Sequence, residues 1–367
     1  MIHIGIDARL NYYRVGGIST YTSRLISALE ELDNQNQYTV FQSRKASQTL
    51  TTRFTEARLW TPAHHRLERL ALSAELLPYK LDMLHSPDFI PPARGAKRHV
   101  ITVHDMTFML YPEHKDAASI RYYSHQIEKA VKQADHILAV SEATKNDIID
   151  MLNVPQEKIT VQAHGVDEGY KPLPEETLSA WRTKLNLPEN YILHVGTLEP
   201  RKNIPALLDA YLTLPPGIRN KHSLLLVGRS GWLFDETMQR IERLQSDGAH
   251  ILIRSDIDDN ALAAVYNLAT VLTMPSFYEG FGMPALEAMA CGTPTIVSNR
   301  SSLPEVVGDV GLQIDPEDPS TLATALEQAL TDIQWQQTTS KAGIERSKQF
   351  TWENSARVAL SVYQSVL

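Results

Sequence analysis

Apolar runs of strand length alternate with helix-period patterns along almost all of this 367-residue chain, and that alternation leaves few folds open. Candidate strands lie at residues 2–6, 38–41, 83–84, 99–103, 136–140 and 158–161, with helical patterns over 19–32, 65–77, 119–134 and 142–152. Such a rhythm marks a parallel sheet with helices on both faces. Tyr170-Lys171-Pro172-Leu173-Pro174-Glu175-Glu176 breaks it with prolines and charge and reads as a linker. A second series follows: strands at 191–195, 223–227, 251–253, 271–274, 295–297 and 312–314, and helices at 206–212, 235–246, 260–267, 284–290 and 320–332. The predicted fold is α/β, with two doubly wound domains over 1–172 and 173–351 and an amphipathic helix over 352–367. In such domains ligands bind at the carboxyl ends of the strands.

Composition narrows the partners. A net charge of −8 argues against nucleic acid, whose phosphates favour a basic surface. Met1-Ile2-His3-Ile4-Gly5-Ile6-Asp7 reads as a buried strand and lacks the basic start of a signal peptide. No run approaches the roughly 18 apolar residues of a membrane span. Cys291 is the single cysteine, so no intramolecular disulfide forms, and it reads as a small buried hydrophobe. A cytoplasmic protein is expected.

The most informative local stretch is Tyr278-Glu279-Gly280-Phe281-Gly282-Met283-Pro284-Ala285-Leu286-Glu287. Pro284 suits a first helical turn, where its missing N–H is no loss. The amides of Gly282 and Met283 would then point out of a positive helix end, which attracts anions. Glu279 before the turn and Glu287 one turn into the helix flank that position. An anion between two hydroxyl-seeking carboxylates describes a sugar–phosphate ligand. The plainer alternative is a capped helix with an acid in its first turn.

Other strand ends carry further candidates. Gly16-Gly17 precedes a helix and lets the backbone approach a ligand, although turn glycines are equally common there and no G-x-G-x-x-G fingerprint is present. His104, in Thr102-Val103-His104-Asp105, can reach a sugar hydroxyl or sit satisfied beneath a loop; His85 is a weaker candidate of the same kind. Arg201 and Lys202, after Glu199-Pro200, pair a planar fork with a mobile point charge, which suits a diphosphate. A solvated basic pair is the alternative, and Glu199 is a candidate supporting partner. Ile257 lies in a strand-end loop of the second series. No cluster shows metal-ligand spacing, so neither a metal nor another cofactor is expected.

The stretch from Glu279 to Glu287 resembles the E-x7-E motif of retaining glycosyltransferases of the GT-B fold, family 4 (glycosyl transferases group 1) in particular. The segments around Gly16-Gly17, His104 and Arg201-Lys202 resemble the same family, so the likeness covers nearly the whole chain. It implies two Rossmann-like domains facing across a cleft that closes to exclude water, with the tail helix packing back on the first. It implies a nucleotide-sugar donor on the second domain and a saccharide or lipid-linked acceptor on the first. Glu279 would contact the donor sugar and Glu287 the ribose. Arg201, Lys202 and the backbone of Gly280, Phe281, Gly282 and Met283 would meet phosphate and sugar. Gly16 and Gly17 would approach the diphosphate, Ile257 the base, and His104 the anomeric centre. The combination looks most like bacterial surface-polysaccharide mannosyltransferases using GDP-mannose. A UDP-glucose enzyme, a sugar-nucleotide epimerase and a non-catalytic nucleotide-sugar binder stay open. The 65–77 helix sets Arg66, Glu68 and Arg69 beside several leucines. Two basic residues are few for membrane attachment, so a core-packing helix is expected there and any contact with the inner membrane face is weak.

Overall fold

The structure is a computed structural model that describes residues 2–13, 16–65, 67–114 and 117–367, with the main chain alone for 114 and 117–119. The chain divides into two compact units, Met1–Gly165 with Phe350–Leu367, and Val166–Gln349.

The first unit is built on seven parallel strands: β1 His3–Asp7, β2 Gln37–Ser43, β3 Thr55–Leu59, β4 Leu81–Ser86, β5 Ala96–Val103, β6 His136–Ala139 and β7 Ile159–Val161. Their order is β3-β2-β1-β4-β5-β6-β7, so the winding reverses between β1 and β4. Ile4, Ile6, Val40, Met83, Val100 and Leu138 are sealed in its core. Such doubly covered strands read as continuous apolar runs, which is why the central ones are visible in the sequence. The edge strand β3 was not anticipated. Its residues alternate, with Glu56 and Arg58 paired at 2.7 Å on the open face.

The tail helix Trp352–Val366 belongs to this unit and buries Ala356, Ala359, Val362 and Tyr363. A polar chain runs beneath it. Tyr363 meets His85 Nδ1 at 2.6 Å, and His85 Nε2 meets Thr102 at 2.8 Å. Thr102 meets Tyr21 at 2.9 Å, and Tyr21 donates to Gln162 at 2.7 Å. Gln162 in turn donates to the Ser355 carbonyl on the tail. His85 is therefore a satisfied core histidine, and burial holds it neutral with its pKa down at about 3. Gly165 makes the crossing possible, because a Cβ there would sit 2.1 Å from the Trp352 nitrogen.

The second unit carries six parallel strands: β8 Tyr191–Val195, β9 Ser223–Val227, β10 Ile251–Arg254, β11 Val271–Met274, β12 Thr295–Ser298 and β13 Leu312–Ile314. The order β10-β9-β8-β11-β12-β13 reverses between β8 and β11, the position where doubly wound sheets hold ligands. Four helices here are absent from the sequence reading: the short Pro216–Arg219 and Leu303–Val307, and two longer ones. Glu175–Leu185 starts inside the stretch read as a linker: Pro174 stands at its N-cap, where a missing N–H is no loss, and its carbonyl accepts the first helical bond, from Leu178. Ile333–Ser347 is mostly polar and buries Thr339, Gly343 and Ser347. Gly343 lets it lie close on Met289 of the helix Met283–Ala290, which bears the second glutamate.

Candidate functional site

The β8/β11 reversal brings together residues that lie 77 positions apart. After β8 the chain makes a 3-10 turn, Pro200–Lys202, which Asn203 ends in the left-handed conformation. The Phe277 amide, after β11, donates to the Arg201 carbonyl at 2.9 Å and ties the two loops. Lys202 Nζ donates to Glu279 Oε1 at 2.6 Å, and Arg201 Nη1 donates to Glu279 Oε2 at 2.7 Å. Ser276 adds a 2.7 Å bond to Oε1. The remaining guanidinium edge bonds Glu199 through Nε at 2.9 Å and Nη2 at 2.6 Å, and Nη1 also reaches the Tyr278 carbonyl.

Glu199, Lys202 and Glu279 are all buried, each less than a tenth exposed. Burial alone would raise the Glu279 pKa, but the charges of Arg201 and Lys202 hold it down at about 2. The Lys202 pKa is lowered, first by burial and then by the charge of Arg201, against the pull of Glu279. The Arg-Lys pair is thus no solvated surface pair. Gly196 faces it with φ +149°, and a Cβ there would lie 3.5 Å from Lys202 Nζ. The next loop presses on Gly196 itself, since a Cβ on Gly228 would strike the Gly196 carbonyl at 1.9 Å.

The turn leading into the helix Met283–Ala290 is pinned by two serines. Ser301 Oγ accepts from the Glu279 amide, while Ser302 Oγ bonds the carbonyls of Glu279 and Phe281 at 2.9 and 2.8 Å. Gly282 caps the helix at φ +107°, packed so tightly on Leu303 that a Cβ would approach it to 2.7 Å. No protein acceptor among the described residues bonds the Gly282 and Met283 amides. They stand at the positive end of the helix. Phe281 is buried and Gly280 half-buried beside them.

Glu287 follows one turn in and takes a 2.7 Å bond from the Tyr266 hydroxyl on Oε2. Its Oε1 has no protein partner among the described residues. Burial, helped by the charges of Asp167 and Asp259 and opposed by Tyr266, raises its pKa to about 7. A carboxyl group raised in this way favours folding below its ordinary pKa of 4.5, and that contribution is lost as the pH rises through about 7. Without nucleotide, Glu287→Gln is therefore expected to gain on wild type by about 2–3 kcal/mol between pH 5 and pH 8. Denaturant unfolding at both pH values checks this; parallel profiles would show that Glu287 titrates normally. Cys291, nearby, is buried and its thiol is pushed up by that burial and by Glu287.

The other candidates are placed as follows. Ile257 is half-buried in the loop after β10, at the sheet edge. Gly16, Gly17 and His104 belong to the first unit. Gly16 and Gly17 open the helix Gly17–Leu32, are exposed, and would meet nothing within 4 Å if given a Cβ. Nothing in the packing of that unit requires glycine at either position. His104 donates from Nε2 to the Pro87 carbonyl at 2.8 Å, which fixes the tautomer and leaves Nδ1 as acceptor. Its ring packs on Tyr21 and His164, and burial lowers its pKa. Tyr266, Ser276, Ser301 and Ser302 went unrecognised in the sequence, where no spacing singles them out. Asp256-Ile257-Asp258 has the spacing of a paired-carboxylate metal motif that the sequence reading passed over. Here Asp256 bonds Arg254 at 2.6 Å and Asp258 caps the helix Asp259–Leu268. No group of three potential metal ligands occurs among the described residues.

Comparisons with known proteins agree with this architecture. Residues 15–170 match Glycosyltransferase Family 4, and residues 176–346 match Glycosyl transferases group 1. The O-antigen chain mannosyltransferase B of Escherichia coli is 37% identical over 287 residues, covering 78% of this chain and 75% of that protein. Sucrose-phosphate synthase from Thermosynechococcus elongatus superposes with a TM-score of 0.79 at 23% identity, over 100% of this chain and 99% of the other. HepE from Anabaena, solved in complex with UDP and glucose, gives 0.76 at 20% identity over the whole of both chains. The two structural matches speak for the fold, GT-B with two doubly wound domains, and the sequence matches for the family: this chain belongs to the group 1 glycosyl transferases, glycosyltransferase family 4.

Proposed function

We propose that this glycosyltransferase is a retaining, metal-independent hexosyltransferase that moves mannose from GDP-mannose to a saccharide or lipid-linked acceptor during bacterial surface glycoconjugate synthesis. The observation that carries the reading is the buried Arg201–Glu279–Lys202 cluster at the β8/β11 reversal, together with the unpartnered amides of Gly282 and Met283. Fixed donors of this kind stabilise charge as a nucleoside diphosphate leaves, and they need no cation. Glu287 offers Oε1 to the ribose, backed by Tyr266. Glu279 orients both cations and keeps spare acceptor capacity on Oε2 for a sugar hydroxyl. Ile257 meets the base. In the first domain His104 supports the anomeric centre, and Gly16 and Gly17 leave room for ligand atoms.

Glu279 is a poor covalent nucleophile, because two cations hold its charge. Transfer therefore goes by same-face displacement, with the departing phosphate taking the acceptor proton. Mannose follows from the named activity of the E. coli relative. The cytoplasm is the proposed compartment, in keeping with a lone buried thiol.

The test is incubation with a panel of nucleotide sugars and membrane-derived acceptors, in chelator or with magnesium, followed by mass analysis of all products. Mannose transfer from GDP-mannose, equal in chelator and magnesium, is the expected result. Transfer only from UDP-glucose would overturn the donor. Rescue by one divalent ion would overturn metal independence. An altered donor without acceptor would mark an epimerase, and binding without turnover a sensor.

A further inference from the structure

None of the described helices is long and apolar enough to cross a membrane, yet one turns an apolar face outward. Helix Glu68–Leu76 buries Glu68, Leu72 and Leu76 and continues into a 3-10 turn, Leu77–Tyr79. The core-packing expectation thus holds for one side only. Its other side presents Leu67, Leu70, Ala71, Ala74, Leu77 and Pro78 to solvent, with Leu70 68% exposed. Trp60 stands 69% exposed at the end of β3, with the Arg44 guanidinium 3.7 Å above its ring. A contiguous apolar face of this kind is unusual on a free surface.

The surrounding charge is mainly basic. Arg44, Lys45, Lys80 and Arg94 are exposed, and none makes an ion pair among the described residues. The Arg94 amide bonds Ser73 on the helix itself, which places that cation beside the face. Nearby acids are engaged: buried Glu68 holds Arg9, and half-exposed Glu75 accepts from the Trp60 and Thr61 amides. Residues 44–98 contain ten Lys and Arg against five Asp and Glu, in a chain whose net charge is −8. Arg66 is among them and lies outside the described residues.

We propose that this face docks the first domain on an anionic phospholipid surface. Trp60, Leu67, Leu70 and Leu77 enter the boundary between headgroups and acyl chains, and the four cations meet lipid phosphates. A bilayer fits better than a second copy of the chain, because a symmetric pairing of this face would set basic rim against basic rim.

Vesicle flotation tests the proposal. Wild type is expected to float with phosphatidylcholine vesicles containing phosphatidylglycerol, and less with phosphatidylcholine alone. Leu70→Glu/Leu77→Glu, both exposed, should keep the wild-type melting temperature and lose roughly tenfold or more in vesicle binding. Arg44→Glu/Arg94→Glu should weaken binding at low salt and differ little at high salt. Failure of wild type to bind anionic vesicles, or equal binding by the leucine variant, overturns the assignment. So does a wild-type dimer that the leucine variant dissolves, which would make the face a contact between copies. No nucleotide is present in these experiments, so their outcome is independent of the donor reading.

Discussion

Lys202→Ala is expected to slow sugar transfer by about two to three orders of magnitude, the usual cost of removing one fixed donor to developing charge. The second domain should stay folded, because Glu279 would still hold Arg201 and Ser276. Lys202→Arg should restore little. The ammonium is buried and held by Glu279 at 2.6 Å, a compact point contact that a larger planar guanidinium does not reproduce. Melting temperature and turnover measured on the same preparations separate the two effects. A folded Lys202→Ala enzyme with normal turnover would return the basic pair to a structural role.

Glu287→Ala is expected to weaken free nucleoside diphosphate and intact donor alike, by about one to two decades in affinity. In the proposed site its unpartnered Oε1 would serve the ribose, which both ligands carry. Glu279 has a structural part beside the sugar contact proposed for it. The family resemblance makes it a contact of the donor sugar. Its oxygens hold both Arg201 and Lys202. Removing it takes the ion-pair partner from buried Lys202 and leaves Arg201 with Glu199 alone, which costs about 3–5 kcal/mol. Glu279→Ala should therefore lose stability and nucleotide affinity together, whereas Glu287→Ala should lose affinity alone.

These contrasts show where sequence reading stops. The central strands announce themselves because both faces are buried, so Ile4, Val40, Leu193 and Leu225 sit in largely apolar runs. β3 does not, because an edge strand needs only Ala57 and Leu59 inside. Helix Ile333–Ser347 escapes notice because it packs through small and polar residues rather than an apolar stripe. At the site, residue types and strand-end positions were legible, but pairing was not. Nothing in the order of residues says that Lys202 would meet Glu279, or that Tyr266 would meet Glu287 across 21 positions. The sheet reversal between β8 and β11 creates the first contact, and the packing around the helix Met283–Ala290 creates the second.

The central claim is that this reversal in the second domain holds a nucleoside diphosphate. Calorimetric titration of GDP and UDP into wild type and Lys202→Ala/Glu287→Ala addresses it most directly. One saturable site per wild-type chain is expected, tighter for GDP, with binding by the folded double variant weakened by at least about two decades. No saturable heat with either nucleotide, or equal affinity in the double variant, would contradict the claim.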